Sequence, residues 1–173
     1  IKYYGNKPKR VRGFEKVCNA PEDVILPTRK TKGSACYDFY LTEDVELRPH
    51  SFSKVIPTYV KAYMPQDEVL LLHIRSSVGI KNNTVLANGT GIIDSDYYNN
   101  PDNEGNIGIM LCNYGHHYQT FHKGDRIAQG MFVKYGVVDN DSATDERVGG
   151  TGSTGPITGQ TNPTRRPPFG RKN

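Results

Sequence analysis

The stretch Gly91-Ile92-Ile93-Asp94-Ser95-Asp96-Tyr97 contains the strongest combined signal for fold and chemistry in the chain. Its two adjacent branched aliphatic residues predict the end or edge of a buried strand. Asp94 then leaves the sheet at its rim, where apolar neighbours disfavour the charged carboxylate and raise its proton affinity. Tyr97 adds a flat face against which a ring can rest. We interpret Asp94 as a candidate base, while Asp94 and Asp96 fit the turn of a hairpin equally well.

Composition favours an all-β fold. The 173 residues are enough for about one domain with its own core. The chain has 18 glycines, 11 prolines and 11 tyrosines, which is typical of strands separated by turns. No apolar run approaches the ~20 residues that cross a bilayer, and no charged-then-apolar leader begins the sequence. We therefore expect a cytoplasmic protein without a membrane segment.

The cysteines and the paired histidines give no metal signal. Cys18, Cys36 and Cys112 are far apart and lack the spacing of a zinc site, so we interpret them as reduced thiols. His116 and His117 are adjacent, and neighbouring residues of a strand face opposite ways. They therefore cannot form a two-point metal clamp.

Positive charge is concentrated at the two ends of the chain. Five cations and no acid follow from Arg147 onward, and the remainder has a net charge of −1. The first residues are also cationic. Basic ends suit nucleic acid or a small polyanion such as a nucleoside triphosphate, and they are equally often solvated ends with no specific ligand. We do not favour nucleic acid binding.

Alternating, branched and aromatic residues predict a series of strands. Their predicted ranges are 11–17, 32–40, 43–47, 53–64, 68–75, 107–113, and from the turn at 123–129 to about 135. A short helical turn is predicted over 78–86, which Ser76 and Ser77 are placed to cap. Residues 99–106 predict a polar turn.

Three further segments contain groups suited to anions or to positioning. Asp38 occupies a position in an aromatic strand where an apolar residue would be ordinary, and a bond to a neighbouring turn is its alternative role. Arg75-Ser76-Ser77 combines a forked donor with two hydroxyls, which matches phosphate oxygens. The glycine-rich stretch 147–155 offers backbone N–H groups and hydroxyls for a phosphate, or serves as a flexible linker.

Five segments together resemble the five ordered motifs of the trimeric dUTPase family. They are KGSACYDFY (32–40), RSSVG (75–79), NGTGIIDSDYYN (88–99), KGDRIAQ (123–129) and RVGGTGSTG (147–155). The resemblance implies an all-β, jelly-roll-like barrel with a flexible C-terminal arm. It also implies a homotrimer with active sites at subunit contacts and Mg²⁺-dependent hydrolysis of dUTP to dUMP and diphosphate.

The resemblance further implies roles at the nucleoside. Asp94 matches the carboxylate that deprotonates the water attacking the α-phosphorus. Tyr97 matches the ring that packs under deoxyribose and leaves no room for a 2′-hydroxyl. Asn88 and the backbone from Gly91 to Ile93 match the groups that read uracil and exclude the methyl group of thymine.

At the phosphates, the resemblance implies charge stabilisation and a metal. Arg75, Ser76 and Gln129 match donors to the phosphate oxygens. Asp38 matches the acid that holds Mg²⁺ through a water. The tail matches an arm that folds over the phosphates, onto a neighbouring subunit's site. The arm residues are Arg147, Gly152, Ser153 and Thr154.

The arm departs from the family pattern. Thr151 stands where most members have an aromatic residue, usually Phe, that stacks on uracil, and Arg147 is one residue closer to Gly149 than usual. Tyr98 and Phe169 are the candidate substitutes for the missing ring. We divide the chain into a basic N-terminal segment, a β domain, a linker with the active-site arm, and a disordered extension. These segments are 1–10, 11–138, 139–155 and 156–173.

Two other functions stay open at this point. The related dCTP deaminases share the scaffold and an RSS segment, although the acid and the spacing that deamination needs are not found around Asp94. A non-enzymatic module on the same fold would use its basic arms to bind nucleic acid or a protein partner.

Overall fold

The structure, a computed structural model, describes residues 9–151 of the chain. Strands dominate this part, as the sequence predicts. They are β1 Gly13–Lys16, β2 Tyr37–Tyr40, β3 Val45–Leu47, β4 Ser51–Phe52, β5 Ile56–Pro57, β6 Val60–Tyr63, β7 Glu68–Ile74, β8 Thr84–Leu86, β9 Gly91–Asp94, β10 Gly108–Ile109, β11 Leu111–Asn113, β12 Gln119–Phe121 and β13 Arg126–Lys134. The helix α1 spans Ser76–Asn82, and a 3-10 turn spans Ser95–Tyr97. Within residues 9–151, no helix combines the length and apolar character that crossing a bilayer requires.

An antiparallel sheet in the order β2-β13-β7-β9 carries most of the predicted site. Along β7, Glu68, Leu70 and Leu72 are buried in alternation. This is the period-2 pattern of a strand with one face on the core. Burying a side chain such as Leu70 contributes roughly 2 kcal/mol. β9 is an edge strand, as predicted for Ile92 and Ile93, but the predicted burial is found only in part, because Ile92 is exposed and Ile93 half-buried.

The other strands form four small sheets. Their orders are β1-β6, β10-β5, β4-β11-β8 and β12-β3. The packed faces share one core, to which Phe39, Leu47, Ile109 and Ile127 each contribute a side chain at most 2% exposed. All the strand pairs are antiparallel, so short turns suffice to connect many of them.

Two long predicted strands are interrupted. The predicted strand 53–64 divides into β5 and β6 because Tyr59 adopts a left-handed backbone with φ of 58°. The predicted strand 107–113 divides at Met110. Its first part pairs with β5, and its second part pairs with β4 and β8. In both cases the apolar pattern is right, but the chain changes its pairing partner within it.

The predicted cap of α1 is wrong. The N-cap residue is Arg75, without a side-chain capping bond, and Ser76 and Ser77 lie inside the first turn. After β13, residues 135–151 contain no helix or strand. The boundaries we gave for the domain and its arm stay a prediction.

Candidate active site

A cavity of about 420 Å³, called here the β9 cavity, opens between β9 and the ends of β8 and β10. It brings together six of the predicted site residues from two separate segments, 88–99 and 147–155. They are Asn88, Gly91, Ile93, Asp94, Tyr97 and Arg147. Apolar side chains form much of the remaining wall, including Leu72, Leu86 and Ile109. Such a wall suits a flat organic ring better than a free anion.

Gly91 brings β9 close to β7. It pairs with Leu72, and a Cβ added to Gly91 would lie only 3.1 Å from the Leu72 Cβ. Any side chain at this position would therefore displace the strand or its neighbour. The glycine keeps backbone groups of β9, rather than a side chain, at this wall of the cavity.

Tyr97 is fixed by its own turn. Its side chain is nearly buried at 8% exposure, and its hydroxyl donates to the Asn106 carbonyl at 3.0 Å. The same hydroxyl accepts from Asn103 Nδ2 at 2.8 Å. Gly105 has φ of +88°, and a Cβ there would lie 2.7 Å from the Tyr97 carbonyl. The polar turn predicted for 99–106 thus holds the ring in one orientation.

A polar cluster supports the far side of this turn. Lys61 is buried and donates to Glu104 at 2.6 Å and to Asn99 at 2.7 Å. The backbone N–H and the exposed thiol of Cys18 also donate to the Glu104 carboxylate, at 2.9 and 3.2 Å. The bond from Lys61 is the largest of several causes that lower the pKa of Glu104 to about 2.

Asp94 is more exposed than the sequence predicts. Its side chain is 52% exposed, so the expected removal from water is not found in the single chain. An ion pair occupies the carboxylate instead, because Arg147 Nη2 donates to Asp94 Oδ2 at 2.7 Å. Arg147 Nε donates to Asp96 Oδ1, also at 2.7 Å. Asp96 is therefore more than the ordinary turn residue we considered.

Arg147 lies largely out of solvent between these partners. Its side chain is 9% exposed, and its guanidinium carbon lies 5.7 Å from the centre of the Tyr97 ring. The bond to Asp96 is the largest of the causes that raise the pKa of Arg147. These contacts are all within one chain. The expectation that the arm reaches a neighbouring subunit stays a prediction.

A second, wider opening of about 800 Å³, called here the β2 cleft, lies beside the β2 end of the sheet. Asp38 is buried there and pairs with Arg126 at 2.9 Å and with Arg75 at 3.2 Å. Arg29 and Lys30 also line it. Four cations against two carboxylates, Asp38 and Asp125, leave this cleft with a positive balance that suits an anion. Among residues 9–151, no three His, Cys, Asp or Glu side chains are grouped to hold a metal.

The remaining predicted phosphate donors lie near this cleft but do not line it. Ser76 is exposed and Ser77 half-buried at the start of α1. Gln129 lies on β13 opposite Asp38, and its amide donates to the Ile74 carbonyl at 3.3 Å.

The tail predictions fall partly outside the described residues. Gly152, Ser153, Thr154 and Phe169 lie beyond residue 151, whereas Thr151 lines the β9 cavity. Tyr98, one proposed substitute for the stacking ring, points elsewhere, because its hydroxyl donates to Glu15.

Asp94 of the β9 cavity and Arg75 of the β2 cleft lie far apart on one chain. Asp94 pairs with Val69 near the start of β7, and Arg75 follows the last residue of that strand. At about 3.3 Å per residue, Asp94 and Arg75 are separated by roughly 20 Å along the sheet.

Sequence reasoning missed Arg126, Asp102 and Asn103. The motif containing Arg126 was interpreted as a turn feeding a strand, without a role for its guanidinium. A charged side chain at the first position of a strand, paired with the acid of a facing strand, was the available signal. Asp102 and Asn103 resemble any polar turn, and no local signal separates them from it.

Comparison with known proteins agrees with this architecture. The dUTPase family profile matches residues 22–155. The deoxyuridine 5′-triphosphate nucleotidohydrolase of Lactococcus lactis subsp. lactis is 44% identical over 149 residues, covering 84% of this chain and 99% of that protein. The enzyme of the same name from Escherichia coli K12 is 35% identical over 142 residues, covering 78% and 89%.

Solved structures show the same relationship. The crystal structure of the Streptococcus mutans dUTPase matches with a TM-score of 0.68 and 39% identity, covering 74% of this chain and 99% of that one. A mutant dUTPase from phage phi11 of S. aureus, described with a structural Mg(II) ion, has a TM-score of 0.64 at 24% identity and shares the fold. It covers 79% of this chain and 98% of that one. The jelly-roll-like β fold is thus confirmed, and the chain belongs to the dUTPase family.

Proposed function

We propose that this protein hydrolyses dUTP to dUMP and diphosphate. One observation carries the proposal: the β9 cavity collects Asn88, Gly91, Ile93, Asp94 and Tyr97 around a largely apolar space. Such a space accepts a pyrimidine ring and its sugar, with a carboxylate at the rim. Membership of a family whose relatives are named for this reaction supports the substrate assignment.

In this proposal the cavity selects the nucleoside by shape. Asn88 and the β9 backbone from Gly91 to Ile93 read the uracil edge, since the close approach of β9 to Leu72 leaves little room to adjust. Tyr97 packs under the deoxyribose. Because its hydroxyl is bonded to Asn103 and Asn106, the ring cannot swing away for a 2′-hydroxyl. Excluding an added group by a rigid wall discriminates more strongly than a lost apolar contact, which is worth only about 1 to 3 kcal/mol.

Asp94 is the proposed general base. A carboxylate accepts a proton from water while a second lone pair holds the water in line with the α-phosphorus. The exposure of Asp94 supports this role, because water reaches its carboxylate directly. Arg147 has to leave the Asp94 oxygen that it occupies before a water can bind there.

The β2 cleft is the proposed phosphate side. Arg75, Ser76, Ser77 and Gln129 lie at or next to it and would donate to phosphate oxygens as negative charge grows on the leaving group. Asp38 would hold Mg²⁺ through water. A single carboxylate, already paired with two guanidinium groups, fits an ion carried by phosphates and not an all-protein cage. When bound with the triphosphate, Mg²⁺ would neutralise charge on the phosphate oxygens.

The separation of the two openings supports a homotrimer with shared sites. A water held at Asp94 is out of hydrogen-bond reach of Arg75 on the same chain, about 20 Å away. We propose that the β9 cavity of one subunit faces the β2 cleft of the next. Each active site then lies at a subunit contact, as closed cyclic symmetry allows.

The arm completes the proposed site. Arg147 supplies charge to the triphosphate, and Gly152, Ser153 and Thr154 supply further donors. The division into segments 1–10, 11–138, 139–155 and 156–173 is part of this proposal. The proposal also places the enzyme in the cytoplasm, which the free thiols of Cys18, Cys36 and Cys112 support.

An assay of diphosphate release from dUTP, dCTP, dTTP and UTP tests the function. We expect release from dUTP with Mg²⁺ present and little from the other three nucleotides. Formation of a uracil nucleotide from dCTP would replace the proposal with deamination. Absence of release from every nucleotide would leave a binding module.

A further inference from the structure

Two acids to which the sequence analysis gives no catalytic or binding role, Asp96 and Asp102, hold the arm against the β9 cavity. Asp96 accepts from Arg147 Nε at 2.7 Å. Asp102 accepts from the Gly150 backbone N–H at 3.2 Å. The two contacts fix both ends of the four-residue segment 147–150. The residues just before it, 141–146, are all exposed.

Gly150 packs closely against the side chains of the turn 99–106. A Cβ added there would lie 2.8 Å from Asp102 Oδ2 and 2.9 Å from Asn103 Nδ2. Gly149 and Gly150 are both buried although they lie outside any helix or strand. The turn 99–106 thus serves as a receptor for this segment and not only as a support for Tyr97.

The three Arg147 side-chain nitrogens contact different groups. Nε donates to Asp96, Nη2 donates to Asp94, and Nη1 contacts the Gly150 carbonyl at 3.5 Å. A guanidinium has five N–H donors, so a bond from Nε does not consume the two terminal amino groups. If Nε stays on Asp96, a terminal amino group can exchange the Asp94 carboxylate for a phosphate oxygen.

We propose that Asp96 and Asp102 are positioning residues that keep Arg147 beside Asp94 until the triphosphate draws the Arg147 amino group away. This inference rests on the proposed hydrolysis of dUTP, and it assigns Arg147 two successive anionic partners. In the resting chain the guanidinium occupies one oxygen of the Asp94 carboxylate, and in the bound state it frees that oxygen to accept a hydrogen bond from water. Asp96 keeps the arm from leaving during the exchange.

A double-mutant cycle tests the coupling. We expect Asp96→Ala to lower kcat/KM for dUTP about tenfold, the loss of one charge-assisted hydrogen bond. In an Arg147→Ala background the same substitution should change kcat/KM less than about twofold, because Asp96 acts through Arg147. Equal losses in the two backgrounds would overturn the proposal. Asp96→Glu should recover part of the loss.

A readout independent of activity is available, because Arg147 is itself a site for trypsin. Its side chain is 9% exposed, so cleavage after Arg147 should be slow in the unmodified protein. We expect Asp96→Ala and Asp102→Ala each to increase the rate of this cleavage about fivefold or more. Mass spectrometry of the fragments measures the rate. Asp139→Ala, which removes an exposed acid between β13 and Arg147, is the matched control and should leave the rate unchanged.

Unchanged cleavage in both variants would overturn the docking role. If the unmodified protein released no diphosphate from dUTP, the proposed function would fail, while faster cleavage would still support the docking of the arm. Asp96 and Asp102 are both exposed, so we expect the two variants to melt near the melting temperature of the unmodified protein.

Discussion

The β9 cavity and the β2 cleft lie beside the two edge strands of one sheet, and they suit ligands of different chemistry. The cavity is narrow and largely apolar, and its polar side chains are those of Asn88, Asp94, Tyr97, Arg147 and Thr151. The cleft has almost twice the volume and is lined by Arg29, Lys30, Arg75 and Arg126 around Asp38. Shape suits the discrimination of a ring, whereas charge suits a polyanion. In the proposed function these are two half-sites, each of which is completed by a neighbouring chain.

The largest effect is expected at the cavity. Asp94→Asn should lower kcat for dUTP about 10³-fold with KM little changed, because an amide cannot take a proton from water. Steady-state diphosphate release measures both constants. The control is Asp139→Asn, and turnover of Asp94→Asn within about threefold of the unmodified protein would remove Asp94 as the base.

A mixing experiment tests whether the two half-sites meet between chains. Asp94→Asn and Arg75→Ala proteins, each nearly inactive alone, should regain activity when they are coexpressed as mixed trimers. Random assembly gives roughly a quarter of the sites an intact cavity and an intact cleft. The two variants purified apart and mixed without subunit exchange are the control. If verified mixed trimers recovered no activity, the whole active site would be formed within one chain.

Loss of the arm should have a smaller effect than loss of the base. Truncation after Glu146 removes Arg147 and everything after it, and we expect kcat/KM to fall about 10²-fold, since charge stabilisation at the phosphates is lost. The melting temperature should change little because residues 135–151 contain no strand of the core. Hydrolysis at the full rate by the truncated chain would contradict a catalytic role for the arm.

The smallest expected effect is on the stability of the fold, through Glu104 in the turn 99–106 beside the β9 cavity. The pKa of Glu104 is lowered from 4.5 to about 2, mainly by the bond from Lys61. A lowered pKa stabilises the fold above pH 4.5, and this contribution is lost as pH falls toward 2. Glu104→Gln should therefore lower the melting temperature at pH 6, with the difference shrinking as the pH falls to about 3. A difference that does not change with pH would exclude Glu104 as its source.

Local sequence predicted the cavity better than the cleft, for a physical reason. Asn88, Gly91, Asp94 and Tyr97 fall within ten residues, so one strand and one turn bring them together. The pair of Asp38 and Arg126 joins positions 88 residues apart, and strand pairing that no local pattern specifies creates it.

The errors have the same origin. The strand break at Tyr59 depends on the Asn106 side chain, whose oxygen accepts from the Tyr59 N–H at 2.9 Å from a distant turn. The exposure of Asp94 follows from the edge position of β9, which the two isoleucines indicate, but the predicted apolar wall does not cover the carboxylate. Arg147 and Asp94 met because of a loop conformation that periodicity does not encode.

The thiol of Cys18 makes the cavity's support observable without any engineered probe. Its bond to the Glu104 carboxylate is the largest cause that raises the pKa of the thiol, so the reactive thiolate is scarce at neutral pH. An aqueous alkylating reagent would therefore modify this exposed position mainly when the Glu104 contact opens. Glu104 also accepts from Lys61, and the turn that contains Glu104 holds Tyr97. The labelling rate therefore reports how often the contacts of this turn open. If nucleotide binding tightens this turn, alkylation of Cys18 in the native protein should become slower, although Cys18 lies outside the cavity.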